Sequence, residues 1–476
     1  MNTIVIVGSS LAGLRAAETL RQEKFDGRIV MVGAEDRAPY DRPPLSKKVL
    51  AGEWDADRIV LRKPDDLASL NLDWKLGSAA INLNVSTRTI GLANGETIAF
   101  DGLIIATGGH VRRLPNQPSW KGIHTLRTVN EALALRDELV EGRRVVVIGA
   151  GFIGLEVAAT ARGRGCTVTV LEGLDAPMIR GLGAEMGRNA ALVHSDNGVD
   201  LRFGVRVNGL MEGEPNVVAG VALESGEVVP ADVVVVGIGV SPSTEWLEGS
   251  GLEIRDGVVC DRFLNAGALD VFAAGDVCRW HNDMYDREMR VEHWTTASEQ
   301  GAAAARNLLA ISRGEVPKPF AEVPFFWSDQ FTARIQFVGR AEGDENVSIV
   351  VGSPQERQFV ALYEKGGRLM AALGVSRPRQ LMPFRKLIAE RATIDQAMEL
   401  VKTFVATLTI FWKDFIRGGE RCPDSMPSVS PCGVRFRPPV RWFPESSRPR
   451  WPTSFTFRFP SSTCWPSSRR TTNSCG

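Results

Sequence analysis

Two short glycine-rich segments have the residue types and the spacing needed to hold a dinucleotide. The first is G-x-S-x-x-G from Gly8 to Gly13, and the second is G-x-G-x-x-G from Gly149 to Gly154. Glycines in such a loop permit a tight turn and let the backbone approach a pyrophosphate, whose charge is stabilised by the N-terminus of the following helix. Each pattern therefore predicts a phosphate cradle, and the serine at the middle position makes the first cradle more crowded.

An acidic residue follows each loop at the distance expected for a contact with ribose. Glu35 lies 22 residues after Gly13, and Glu172 lies 21 residues after Gly151. A carboxylate there accepts hydrogen bonds from ribose hydroxyls. It would repel a 2′-phosphate by on the order of 4 kcal/mol at about 4 Å before screening, for an effective dielectric constant of about 20. Because residues 173–175 contain no Lys or Arg, the second cradle is predicted to prefer NADH over NADPH.

Apolar strands must position both loops. Runs at 4–7 and 28–32 flank the first loop, and runs at 143–148 and 167–171 flank the second. Continuous apolar runs are typical of parallel strands that are buried on both faces. Strand, loop, helix and strand therefore occur twice, about 140 residues apart, which predicts FAD in the first unit and NADH in the second. Asp276 follows a later buried strand, and its carboxylate can bind sugar-type hydroxyls.

Composition places the chain among globular proteins. It has 476 residues, 44% of them apolar, and a formal net charge of +0, which gives no general reason to expect nucleic acid or membrane as a partner. Its seven cysteines form no C-x-x-C pair, so no metal site is predicted. The N-terminus runs straight into a strand without a signal-peptide pattern, and a reducing, cytoplasmic location is expected.

Five motifs in a fixed order carry a family resemblance. They are P-Y-D-R-P-P-L-S-K at 39–47, A-T-G at 106–108, the glycine loop with Leu-Glu at 149–156, G-D at 275–276 and F-W-S-D-Q at 326–330. Together they resemble the ferredoxin reductases of bacterial oxygenase systems, over roughly the first 400 residues. The resemblance implies an FAD protein that passes electrons from NADH to a [2Fe-2S] ferredoxin, which in turn feeds a P450 or Rieske-type oxygenase.

The same resemblance implies an α/β fold of the glutathione-reductase type. Two Rossmann-like nucleotide-binding domains are expected, together with a small C-terminal α/β domain. The FAD-binding domain is predicted over 1–109 and 242–325, the NADH-binding domain over 110–241, and the C-terminal domain over 326–402. Residues 403–476 are predicted to form a Pro/Arg/Ser-rich tail.

The resemblance also assigns the cofactor contacts. FAD is expected at Gly8, Ala12, Gly13, Ala34, Glu35, Arg42, Lys47, Ala80, Arg127, Asp276, Glu292 and Trp294. NADH is expected at Gly149, Gly151, Ile153, Gly154, Glu172, Gly237, Ile238 and Gly239. Relatives often have Asp at the position of Ala34, so either Ala34 or Glu35 contacts the adenosine ribose.

Three residues are candidates for the electron-transfer chemistry. By the resemblance, Lys47 stabilises negative charge on reduced flavin and is itself neutralised by Glu156, while Trp327 lines the exit path of the electrons. Simpler interpretations stay open: an exposed loop lysine, an acid that interacts with a helix dipole, and an aromatic core residue beside Phe325 and Phe326.

The position of the cysteines argues against a thiol relay. Dithiol reductases of this fold carry C-x-x-x-x-C early in the chain, but residues 45–50 read L-S-K-K-V-L and the first cysteine is Cys166. Direct transfer to a docked carrier is therefore favoured. The alternatives are a rubredoxin reductase and a flavin-binding NADH sensor that resembles apoptosis-inducing factor.

The end of the chain changes character twice. Residues 324–401 predict a small domain with a helix over 383–402. Near this helix lies a cluster of basic residues that is either a solvated surface or a docking patch for an acidic ferredoxin: Arg377, Arg379, Arg385 and Lys386. Residues 403–476 hold eleven Lys and Arg against four acids, and their many prolines forbid long helices. The tail is expected to be disordered or an aberrant, out-of-frame extension.

Overall fold

The structure, a computed structural model, describes residues 1–404. The predicted tail lies outside the described residues from 405 onward. The first elements are β1 (Thr3–Val7), α1 (Leu11–Gln22), β2 (Arg28–Val32), a π-helical turn (Leu45–Val49), a 3-10 turn (Ala56–Ile59), α2 (Pro64–Ser69), β3 (Leu72–Lys75), β4 (Ala80–Asn84), β5 (Thr89–Leu92), β6 (Thr97–Ala99), β7 (Gly102–Ile105), β8 (Gly109–Val111) and β9 (Ile123–His124).

The second glycine loop lies within the next group of elements. These are α3 (Val129–Glu138), β10 (Arg144–Ile148), α4 (Phe152–Gly163), β11 (Thr167–Leu171), α5 (Ile179–Leu182), α6 (Ala184–Asp196), β12 (Asp200–Arg202), β13 (Val207–Glu212), β14 (Val218–Leu223), β15 (Val228–Pro230), β16 (Val233–Val236) and β17 (Val240–Pro242).

The remaining elements return to the first sheet and then build a third one. They are a 3-10 turn (Glu245–Leu247), β18 (Val258–Cys260), β19 (Val271–Ala273), a 3-10 turn (Gly275–Val277), β20 (Cys278–Asn282), β21 (Arg287–Met289), α7 (Trp294–Ser312), β22 (Phe325–Gln330), β23 (Ala333–Gly339), β24 (Asn346–Ser353), a 3-10 turn (Pro354–Glu356), β25 (Gln358–Lys365), β26 (Arg368–Val375) and α8 (Pro378–Ala389). A further helix covers 394–404.

Two five-stranded parallel sheets carry the glycine loops. The first has the strand order β19-β7-β1-β2-β3 and the second has the order β12-β11-β10-β16-β9. In β1, residues 4–7 are all buried, because layers of the fold cover both faces of a parallel strand. Strand β19 follows the second sheet in the chain, so the polypeptide leaves the first unit and then completes it.

A two-stranded antiparallel ribbon connects the two sheets. Strand β8 pairs with β17, and Gly109 lies opposite Pro242. The chain therefore crosses between the sheets twice at one place. This ribbon lies at the predicted domain boundaries, 109/110 and 241/242, which stay a prediction.

The third unit is a five-stranded antiparallel sheet in the order β22-β23-β26-β25-β24. The predicted single helix over 383–402 is wrong. Helix α8 begins earlier, with Pro378 in its first turn, and ends at Ala389, because proline is well placed at a helix start. Arg391 then adopts a positive φ of 57°, which breaks the helix before it resumes at 394. The predicted fold class, two Rossmann-like units plus a small C-terminal α/β domain, is confirmed.

Helix α7 packs closely on α1 at Gly301. A Cβ atom added at Gly301 would lie 2.2 Å from the carbonyl oxygen of Ala12. We expect Gly301→Ala to lower the free energy of unfolding by about 2 kcal/mol or more, because the two helices must separate. Urea unfolding would measure this change.

Gly163→Ala is the matched control. A Cβ at Gly163, the last residue of α4, would meet nothing within 4 Å. Alanine is the better helix former by about 1 kcal/mol, so this variant should be as stable as the parent or more stable. Equal stability of both variants and the parent would contradict the close approach.

Candidate functional site

The first glycine loop is shaped by two close approaches of the backbone. Gly8 has a φ of 121°, and a Cβ there would lie 2.0 Å from the oxygen of Ala106; a Cβ on Gly13 would lie 1.9 Å from the oxygen of Gly8. Ser10 caps α1 without a side-chain hydrogen bond, and the first turn holds no acid. The N–H groups of this turn are therefore available to an anion.

A cavity of about 500 Å³ opens at the carboxyl ends of the first sheet's strands, in front of this loop. This is the place where open α/β sheets bind ligands. Its lining includes five of the predicted FAD contacts: Gly8, Ala34, Glu35, Arg42 and Ala80. Ala12 is buried in α1. The cradle and the cavity together fit a dinucleotide such as FAD.

Glu35 accepts hydrogen bonds from two other residues of the cavity lining, one at each carboxylate oxygen. Tyr40 Oη donates to Glu35 at 2.6 Å, and Arg42 Nη2 donates at 2.7 Å. Arg42 Nη1 also donates to the backbone oxygen of Arg127 at 2.6 Å. Burial raises the pKa of Tyr40 to about 12, which keeps its hydroxyl a hydrogen-bond donor. Glu35 therefore positions Arg42 in addition to lining the predicted ribose site.

Asp276 lies outside that cavity lining, after β19. Its carboxylate accepts a hydrogen bond from Arg127 at 3.0 Å, and its backbone oxygen accepts one from Arg290 at 3.1 Å. Arg290 also pairs with Glu292 at 2.8 Å. The predicted contacts Arg127, Asp276 and Glu292 thus belong to one connected group of charges.

Two tryptophans from separate segments meet near the start of α7. The rings of Trp294 and Trp327 lie 6.1 Å apart, and Phe325 stacks on Trp327 at the same distance. Trp294 Nε1 donates to Asp41 at 2.7 Å, a partner that sequence reasoning missed. Burial raises the pKa of Asp41. Trp327 is half-buried, so its predicted role in electron exit stays a prediction.

Lys47 and Glu156 form a buried ion pair with an N–O distance of 2.8 Å. The side chains are 16% and 5% exposed. Lys47, in the π-helical turn, also donates to the oxygen of Pro43 at 3.1 Å. Glu156 further accepts from Ser46 Oγ at 2.5 Å and from Ser328 Oγ at 2.6 Å. The lysine is therefore not a free surface residue, and its charge is compensated inside the protein.

Ser46 and Ser328 were missed as functional candidates, although both lie inside the quoted motifs. Strand alternation offered one signal. In β22, Phe326, Ser328 and Gln330 share one face of the strand. Two polar side chains, Ser328 and Gln330, on the same face as an aromatic residue indicate that they have hydrogen-bond partners outside the sheet.

The second glycine loop repeats the first geometry. A Cβ on Gly149 would lie 2.4 Å from the oxygen of Gly237, and one on Gly154 would lie 2.2 Å from the oxygen of Gly149. A Cβ on Gly151 would meet nothing within 4 Å, which leaves space before the first turn of α4. That turn has no side-chain cap, and Ile153 within it is 44% exposed. These features fit a second nucleotide.

Glu172 closes the second cradle at the end of β11. Its oxygens accept from the backbone N–H groups of Ala150 at 2.7 Å and Leu174 at 2.9 Å. Arg188 donates to the backbone oxygen of Asp175, so tertiary structure brings a cation that the local sequence lacks. The remaining predicted contacts follow β16: Gly237, Ile238 and Gly239.

The cysteines of residues 1–404 lie inside the protein. Cys166, Cys260 and Cys278 are all buried and unpaired. No group of three or more metal-ligating side chains is found in this part of the chain. Among the same residues, no helix has the length and apolar character to cross a membrane.

Comparison with known proteins identifies related oxidoreductases along most of the chain. Residues 2–301 match the model of the pyridine nucleotide-disulphide oxidoreductases, and 325–401 match that of the reductase C-terminal domain. Putidaredoxin reductase of Pseudomonas putida is 35% identical over 83% of this chain and 93% of its own length. The reductase component of the anthranilate 1,2-dioxygenase system of Burkholderia cepacia, a ferredoxin–NAD(+) reductase, is 37% identical over 82% and 95%.

A solved structure extends the comparison to three dimensions. The covalent putidaredoxin reductase–putidaredoxin complex matches with a TM-score of 0.78 and 34% identity, over 82% of this chain and 93% of that chain. The similarity therefore covers both nucleotide-binding units and the C-terminal sheet.

His194 should make stability depend on pH. It is fully buried, and burial lowers its pKa to about 4 from 6.5. The unfolded chain therefore binds this proton at pH values where the folded chain does not. The free energy of unfolding should fall by about 1.4 kcal/mol per pH unit from this group as the pH drops from about 6.5 towards 4.

Chemical unfolding between pH 7 and 4.5 would measure this slope. His194→Gln should reduce this slope by about 1.4 kcal/mol per pH unit, the contribution of one proton. The expectation holds whatever the substitution does to the free energy of unfolding at pH 7. His281→Gln, at a half-exposed position, is the matched control. Identical slopes for the parent and His194→Gln would contradict the assignment.

Proposed function

Because this chain belongs to the pyridine nucleotide-disulphide oxidoreductase family, we propose that it is an FAD-dependent NADH:ferredoxin oxidoreductase that serves an oxygenase. One relative of similar length is named the ferredoxin–NAD(+) reductase component of a dioxygenase system, and another is named putidaredoxin reductase. The electron acceptor is a [2Fe-2S] ferredoxin, and the site of action is the cytoplasm. The proposed domains and cofactor contacts are those predicted from the sequence.

One observation carries the proposal: the buried Lys47–Glu156 ion pair joins the unit of the first glycine cradle to the unit of the second. Lys47 comes from the FAD-binding unit and Glu156 from the helix that follows the NADH cradle. No cysteine lies in either cradle or in the turn that carries Lys47. This arrangement supports transfer without a protein thiol.

Bound FAD would supply the redox chemistry, by accepting a hydride from NADH and releasing two electrons one at a time. The residues of the chain would bind the two nucleotides and orient them. The N-termini of α1 and α4 would hold the pyrophosphates, and Glu35 holds Arg42 in the wall of the cavity that would take the first nucleotide. Lys47 provides a compensated positive charge at the junction of the two units, where a hydride donor and acceptor must meet.

The proposal predicts that electron flow depends on the carrier. NADH-driven reduction of cytochrome c should be slow without a [2Fe-2S] ferredoxin and should rise with ferredoxin concentration. A rise with rubredoxin alone would identify a rubredoxin reductase. A long-lived absorbance band after NADH addition, with slow turnover on every carrier, would favour the sensor alternative.

The basic cluster near α8 provides a surface test. Arg379 and Lys386 are exposed, with Lys386 at 3.6 Å from Glu390, whereas the half-buried Arg385 pairs with Glu299 at 3.1 Å. Replacing both exposed cations, in Arg379→Glu/Lys386→Glu, should raise the KM for ferredoxin at least about fivefold at low salt, because an acidic partner loses its attraction. The rate of ferricyanide reduction should stay unchanged.

A control with the same change in charge keeps this test specific. Arg206 and Lys318 are exposed cations elsewhere on the described surface. If Arg206→Glu/Lys318→Glu raises the KM for ferredoxin as much as the first pair, net charge and not the α8 patch governs docking.

Cofactor choice follows from Glu172. We expect kcat/KM for NADH to exceed that for NADPH by more than about tenfold, since a carboxylate opposes a 2′-phosphate even after screening. Glu172→Gln should narrow this ratio several-fold, while Glu224→Gln at an exposed site of the same unit should leave it unchanged. A parent enzyme that prefers NADPH would show that the cation at Arg188 outweighs the carboxylate.

A further inference from the structure

The ion pair of Lys47 and Glu156 is the end of a longer buried chain of hydrogen bonds. Ser328 Oγ donates to Glu156 Oε1 at 2.6 Å, and Gln330 Nε2 donates to Ser328 Oγ at 3.1 Å. His194 Nε2 lies 2.9 Å from Gln330 Oε1. Three of these side chains, on Ser328, Gln330 and His194, are fully buried.

Hydrogen-bond chemistry fixes the direction of this chain. A carboxylate only accepts, so the hydroxyl proton of Ser328 points to Glu156. The Ser328 oxygen then accepts from the amide nitrogen of Gln330, which turns the Gln330 oxygen towards His194. That oxygen also only accepts, so Nε2 of His194 carries the proton. Every donor from His194 onward therefore points towards Glu156.

The state of the imidazole agrees with this direction. Nδ1 of His194 is buried and has no hydrogen-bond partner, as expected for the unprotonated nitrogen of a neutral ring whose proton is on Nε2. Burial lowers the pKa of His194 to about 4, so the ring stays neutral at physiological pH. A neutral ring donates one hydrogen bond without adding a charge.

The chain crosses units that are distant in sequence. His194 lies on α6 and Glu156 on α4 of the NADH-binding unit, whereas Ser328 and Gln330 lie on β22 of the C-terminal sheet. Ser46 and Lys47 approach the other carboxylate oxygen from the FAD-binding unit. The carboxylate therefore has donors from the units on either side of it.

We propose that Ser328, Gln330 and His194 are positioning residues for the nucleotide site, because their hydrogen bonds hold the Glu156 carboxylate in place as the partner of Lys47. This inference rests on the proposed function and extends it. The C-terminal sheet then contributes to the step in which NADH is oxidised, in addition to any contact with the electron carrier.

The test is a double-mutant cycle on the purified holoprotein. Gln330→Leu removes the hydrogen bonds of Gln330 to Ser328 and His194 and keeps a side chain of similar volume. We expect the rate of flavin bleaching by NADH to fall about tenfold, the size of one lost hydrogen bond to a charged network, with little change in the KM for NADH. The midpoint potential of the bound flavin should shift as well, since Lys47 and Glu156 move relative to each other.

In a Glu156→Gln background, Gln330→Leu should change neither the rate nor the potential, because the glutamine acts through Glu156. An equal effect in both backgrounds would overturn the proposal and indicate a structural role. Gln336→Leu is the matched control, since this buried glutamine lies on the neighbouring strand β23, opposite Trp327 and outside the chain of hydrogen bonds.

Ser328→Ala, which removes one oxygen atom, carries the same test if Gln330→Leu folds poorly. Its effect should also vanish in the Glu156→Gln background. The cycle needs only NADH and bound flavin. A failure to reduce any ferredoxin would therefore contradict the proposed electron acceptor and leave the result of the double-mutant cycle unchanged. Equal bleaching rates and equal flavin potentials for Ser328→Ala and the parent would overturn the positioning role.

Discussion

A single carboxylate, that of Glu156, connects segments that the sequence keeps far apart. Burying an isolated charge is expensive, so such a group persists only with partners that replace its hydration. Here the partners are an ammonium and two hydroxyls, from Lys47, Ser46 and Ser328. The π-helical turn, α4 and β22 must therefore keep fixed positions relative to one another. This requirement is one constraint on the geometry of the two nucleotide units, which the ribbon of β8 and β17 also connects.

The two cradles show how one backbone constraint serves both nucleotides. In each, the first glycine passes within contact distance of the carbonyl after a neighbouring strand, and the last glycine passes over the first. They differ at the middle position, Ser10 against Gly151. The repeated backbone geometry agrees with two related ligands, and the difference at the middle position leaves more space in the second cradle than in the first.

Local sequence could predict most of the fold, because strand and loop patterns depend on near neighbours. Residues 4–7 and 145–148 are buried in parallel strands as their apolar runs predicted. The helix break at Arg391 could not be predicted, since a positive φ there leaves no compositional signal. The hydrogen-bond partners of Glu35 and Glu172 could not be predicted either, because they depend on the folded structure. The chain from Glu156 to His194 joins residues separated by more than one hundred positions, and no local pattern records such pairings.

The place of Ser328 and Gln330 has a consequence for protein engineering. The C-terminal family match begins at residue 325, so a chimaera designed on domain borders would be spliced there. Such a splice would make the hydrogen bond to Glu156 depend on the donor having a serine and a glutamine at these two positions. Modules for new electron acceptors would be exchanged more safely after β22, with that strand retained as part of the recipient.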